Sequence, residues 1–83
     1  MSVIKIGNIH VNKKNDDGET PLFIASQGGY YDIVILLINC GAKLDSTDRC
    51  GETPLHSARF GGHNSVVKVL LEKEANINIQ DNC

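Results

Sequence analysis

Gly51-Glu52-Thr53-Pro54-Leu55-His56-Ser57-Ala58 decides the reading of this chain, because its first five residues have already occurred 33 residues earlier, as Gly18-Glu19-Thr20-Pro21-Leu22. The same offset carries Ala25 onto Ala58, Gly28-Gly29 onto Gly61-Gly62, and Val34 onto Val67. It also carries Leu37 onto Leu70, Ala42 onto Ala75, Asp48 onto Asp81 and Cys50 onto Cys83. Conservative pairs fill the spaces between: Ile33 with Val66, Leu36 with Val69, Ile38 with Leu71, Leu44 with Ile77. Self-similarity at a fixed period marks a chain built from stacked supersecondary units.

Each unit reads as helix, turn, helix, loop. Thr20 and Thr53 are placed to cap a helix through the hydroxyl, with Pro21 and Pro54 at the first helical position, where the missing N–H has no intrahelical partner to lose. A short helix is predicted over about Pro21 to Gln27 and again over Pro54 to Phe60, stopped by the Gly-Gly pairs. A second helix follows over Asp32–Asn39 and Ser65–Lys73. Val66, Val67, Val69, Leu70 and Leu71 form a stripe wide enough to predict packing on more than one side. Ile33, Val34 and Leu37 are expected to meet Val66, Val67 and Leu70. Gly41 ends the first of these helices, whereas Glu74 stands at the matching, left-handed position of the second. Lys43-Leu44-Asp45 and Asn76-Ile77-Asn78 read as short extended pieces. Asn15-Asp16-Asp17-Gly18 and Asp48-Arg49-Cys50-Gly51 carry turn chemistry, with Asn or Asp leading and Gly closing.

Thr53-Pro54-Leu55-His56-Ser57-Ala58, Gly62-His63, the Val67-x-Val69-Leu70-Leu71 run and Ala75-Asn76-Ile77-Asn78 together resemble the ankyrin repeat, over nearly the whole chain. The resemblance implies an all-α ankyrin-repeat solenoid, with helix-turn-helix units joined by β-turn or hairpin loops. It divides the chain into a partial copy at 1–14, full copies at 15–47 and 48–80, and the start of another at 81–83. It also implies a protein partner docked on the turn tips and the exposed face of the first helix of each copy. Carried over by position, that face comprises Asp16, Asp17, Glu19 and Gln27, then Arg49, Cys50, Glu52 and Phe60, with Arg59 and Phe23 bordering it. Phe60 is the expected anchor, since exposed aromatic and Arg side chains dominate binding energy. Three positions depart from the family pattern. Phe23 replaces the motif histidine, whose imidazole bonds neighbouring loop backbone in such proteins. Arg59 stands where a small Ala is usual, and Ile35 where an outward polar residue is usual.

Composition sets the outer limits. With 83 residues, 41% of them hydrophobic and none of them Trp, the chain has little with which to build a conventional core. Eight basic and ten acidic residues are well mixed, so no basic stripe suggests nucleic acid or an anionic membrane. No apolar run reaches the roughly 20 residues of a membrane span. Three cysteines, an odd number, favour reduced thiols in a cytoplasmic or nuclear protein over a disulfide framework. Cys50 and Cys83 are expected to stay unbridged, since neighbouring helical units stack at about 8–10 Å. His10, His56 and His63 have no metal-ligand spacing: His56 reads as a motif hydrogen-bonder, His63 as a turn cap and His10 as a loop residue. No cofactor loop or nucleophile arrangement appears, and no catalytic activity is expected. The rival to a docking module is a structural spacer within a longer solenoid. Two full copies without polar caps predict either a piece of a longer array or a marginal fold that self-associates through the uncapped ends.

Overall fold

A computed structural model describes residues 11–73. Four helices run through them: α1 (Pro21–Gly28), α2 (Tyr31–Asn39), α3 (Pro54–Phe60) and α4 (Asn64–Glu72), and no strand occurs among the described residues. The expectations for His10, Glu74, Asn76-Ile77-Asn78 and Cys83 fall outside them.

The inner helices α1 and α3 start as the sequence predicts. The Thr20 hydroxyl accepts the Phe23 N–H at 3.2 Å, and the Thr53 hydroxyl accepts the His56 N–H at 3.4 Å. In return the Thr53 N–H donates to His56 Nδ1 at 2.9 Å, completing a reciprocal cap in which imidazole replaces the usual carboxylate. The described bonds of His56 close on its own helix start, and the loop that follows α4 lies outside the described residues. At the third helical position the ring lies within reach of its own cap. Phe23, which holds the same place in α1, is buried instead.

α1 is capped by Gly29, the second glycine of its pair, whereas α3 ends one residue sooner and is capped by Gly61, with Gly62 following. Gly29 sits at φ 74° and Gly62 at φ 75°, a left-handed turn that frees the next N–H to bond backwards, from Tyr30 to the Ala25 carbonyl and from His63 to the Ala58 carbonyl, each at 3.0 Å. The outer helices α2 and α4 follow one residue sooner than expected, without a side-chain cap on either.

α1 packs chiefly on α3, and α2 and α4 lie behind them, each against its own inner helix. Leu22, Ala25, Val34, Leu55, Ala58, Val66, Val69 and Leu70 form one buried cluster. Ala25 and Ala58 are small enough to let the inner helices approach. Three expectations change here. Ile35 does not point outward but packs half-buried on this cluster. Leu71 is exposed, so α4 buries a narrower stripe than the sequence suggested. Ile33 is not enclosed as its repeat equivalent is: it lies 48% exposed, whereas Val66, one period later, is 1% exposed. The first helix pair covers Val66, and no described pair stands in the same relation to Ile33.

The segment Lys43-Leu44-Asp45 is not extended either, since the chain turns at Leu44–Asp45. Its backbone is held by a side chain from the preceding loop instead of by a strand ladder. Asn12 Oδ1 accepts the Lys43 N–H at 2.7 Å while Asn12 Nδ2 donates to the Gly41 carbonyl at 3.3 Å.

Candidate functional site

The turn tips are built by one residue each. Asn15 Oδ1 accepts the N–H groups of Asp17 and Glu19 at 3.0 and 2.9 Å, and the Gly18 N–H closes the turn onto the Asn15 carbonyl at 2.9 Å. Asp48 Oδ1 does the same for Cys50 and Glu52 at 2.9 and 2.8 Å, with Gly51 closing the turn at 3.1 Å. A short side-chain acceptor leading a turn and a glycine ending it is the arrangement such turns require.

The two tips then bond to each other. The Arg49 N–H donates to the Asp17 carbonyl at 3.2 Å, and Arg49 Nη1 lies 3.5 Å from the Asp16 carbonyl. Lys14 Nζ donates to the Thr47 carbonyl at 2.9 Å. Asp17, Glu19, Asp48, Arg49 and Cys50 consequently line one shallow hollow along the tip edge. Asp16, Asp17 and Arg49 are exposed, while Glu19, Cys50 and Glu52 are half-buried.

The remaining predicted residues lie at the other end of the inner helices. Gln27 and Phe60 occupy matching positions in the last turns of α1 and α3, and Arg59 precedes Phe60. Seven helical residues separate them from the tips, roughly 10 Å at 1.5 Å per residue. Phe60 is 95% exposed. Phe23 is buried and does not border this surface, contrary to expectation.

Two features escaped the sequence. His63 does not cap a turn: its Nε2 donates to the Gln27 carbonyl at 2.9 Å, satisfying a helix-end carbonyl of the preceding pair. Because a carbonyl only accepts, Nε2 carries the proton. The Ser57 hydroxyl lies 2.9 Å from the Pro54 carbonyl and 3.3 Å from the Phe23 carbonyl, so it too reaches across from α3 to α1. Both are side chains reaching a backbone group about one period back, a pairing that becomes visible only once the units are stacked.

Cys50 is disulfide-bonded, which corrects the expectation of a free thiol, while Cys40 is free. Helix spacing is the wrong ruler at this position. The tips touch backbone to backbone, and a Cβ added at Gly18 would lie 3.0 Å from the Arg49 nitrogen. Cys83 is outside the described residues. Among the described residues, no group of three or more His, Cys, Asp and Glu side chains is placed to hold a metal, and no helix is long and apolar enough to cross a membrane.

Four helices in two like pairs, Thr-capped inner helices followed by glycine turns, and bonded turn tips are the parts of one kind of repeat. A family model described as ankyrin repeats, in three copies, matches residues 3–81. The chain belongs to the ankyrin-repeat family. No curated protein matches it in a sequence search. Proteins of the ankyrin-repeat family generally mediate contacts between proteins.

Proposed function

We propose that this ankyrin-repeat chain docks a specific protein partner along its tip edge and the far ends of its inner helices. The observation that carries this reading is Phe60. The other large apolar residue of α3, Leu55, is buried together with Ala58, yet Phe60 extends almost wholly into solvent beside Arg59. Burying a phenylalanine side chain stabilises a complex by about 1.5–3 kcal/mol, which makes this pair the natural centre of an interface. Asp16, Asp17, Glu19 and Arg49 supply polar contacts at its edge, with Gln27, Cys50 and Glu52 alongside.

A photo-crosslinking amino acid at position 60 captures the partner, whose affinity is then measured for Phe60→Ala and Arg59→Ala. Each substitution is expected to weaken binding at least about tenfold with helical content unchanged, as befits a residue worth more than about 1 kcal/mol. Unchanged affinity in both overturns the reading.

A second reading, a spacer within a longer solenoid, draws on the tip bonds. Arg49 and Lys14 spend donors on holding one unit to the next. Partner affinity that survives every substitution on the exposed face favours the spacer. A non-catalytic role is part of the same proposal, in keeping with the family's typical use. So is an intracellular, cytoplasmic or nuclear setting. The free Cys40 supports that setting and the bridged Cys50 counts against it, so a free-thiol count on chain taken from cells under non-reducing conditions tests it.

A further inference from the structure

We infer that Asp17-Gly18 is a site of spontaneous aspartate isomerisation, which the bonded turn tips hold latent until they part. This goes beyond the docking proposal and is read without a partner. Of the six aspartates in the chain, Asp17 alone precedes a glycine. Glycine has no Cβ to shield its amide nitrogen, so that nitrogen can approach the carboxyl carbon of the residue before it. Asp17 is exposed at the tip, within reach of the water that the second step consumes.

In the first step the Gly18 nitrogen bonds to Asp17 Cγ. The carboxyl hydroxyl leaves with the amide proton as water, which closes a five-membered imide ring. Water then opens the ring. Attack at the former main-chain carbonyl breaks its bond to the Gly18 nitrogen and leaves the chain running through Cγ, as isoaspartate. Attack at Cγ restores aspartate.

The folded tip opposes the first step. Ring closure needs rotation about the Asp17 Cα–C bond, which swings the Asp17 carbonyl and the Gly18 N–H together. Both are engaged. The carbonyl accepts the Arg49 N–H at 3.2 Å, and the Gly18 N–H donates to the Asn15 carbonyl at 2.9 Å. The Asp17 N–H is held too, by Asn15 Oδ1 at 3.0 Å. One rotation must therefore break both a bond within the turn and a bond between the tips. The reaction proceeds from a tip that has opened locally, and its rate follows how often that happens. Its product cannot close again in the same way. Isoaspartate adds a carbon to the main chain inside the turn and moves the peptide carbonyl off the Arg49 N–H. The second tip has no such chemistry, because Cys50 holds the place of Asp17 one period later.

The test incubates the full 83-residue chain in heavy-oxygen water at neutral pH, followed by tryptic digestion in ordinary water. Each ring opening leaves a heavy oxygen in fragment 15–43, and backbone fragmentation separates isoaspartate from aspartate at position 17. The folded chain should take up label at least about tenfold more slowly than the same chain in urea, as expected when two bonds must open first. Arg49→Pro should take it up at least about threefold faster than the unaltered chain, with its circular dichroism unchanged. Proline lacks the N–H that reaches Asp17 and suits the second position of its own turn. Asn15→Ala, which removes the acceptor of the Asp17 N–H, should speed uptake as well. Asp17→Glu should abolish the label, because its ring would need six members and closes far more slowly. Equal rates in folded and unfolded chain, no label in urea, a label that survives Asp17→Glu, or rates indifferent to both tip substitutions overturns the inference.

Discussion

Gly29 and Gly62 hold the same backbone conformation one period apart, but only Gly29 has the His63 ring against it. A Cβ at Gly29 would run into the His63 ring at Nδ1, while one at Gly62 would meet nothing within 4 Å beyond its chain neighbours. Gly62→Ala therefore isolates the cost of a left-handed backbone for a residue with a Cβ, about 1–2 kcal/mol. Gly29→Ala should cost that and more, because the imidazole must move and surrender its bond to Gln27, worth about 0.5–1.5 kcal/mol. Urea melts of the two variants give the difference directly, and His63→Ala in both backgrounds should erase it. Ser26 offers the opposite sign. Its hydroxyl is buried without a hydrogen-bond partner, so Ser26→Ala should leave stability unchanged or raise it by up to about 1 kcal/mol in the same melts.

The inner helices differ in how firmly they begin. Thr20 contributes one cap bond, whereas Thr53 gives and receives through His56. Thr20→Ala is expected to cost about 1 kcal/mol and Thr53→Ala nearer 2, read from thermal melts followed by circular dichroism. Elements of this kind were legible in the sequence because their causes are local: a threonine, a proline and a glycine pair mark each end within a few residues. Burial was less legible. Period-matched residues such as Ile33 and Val66 read alike in sequence, but one is covered by a preceding helix pair and the other is not. The proposed docking residues were legible only as positions. Which of their polar groups are already engaged, as with the Gln27 carbonyl, depends on residues about one period away. The state of Cys50 was misread for a related reason, because helix spacing was applied to a turn tip.

At the scale of the whole molecule, both pairs share one buried cluster, in which Leu22 and Leu55 are fully enclosed. Leu55→Ala should cost about 2–5 kcal/mol, a large part of what a domain of this size possesses. Tyr30 and Tyr31 are the only tyrosines and both belong to the first pair, so their fluorescence reports on that pair alone. If the cluster is one cooperative unit, this substitution in the second pair lowers the tyrosine transition and the helical transition together; separate midpoints would contradict it. The tip edge has a consequence for how such a chain can change its length. The bonds from Lys14 to Thr47 and from Arg49 to Asp16 each span 33 residues. Duplication or loss of a stretch of that length returns every donor opposite an equivalent acceptor, so the edge heals at the joint. A change of any other size leaves the tips out of step, and the array can grow or shrink only by whole units.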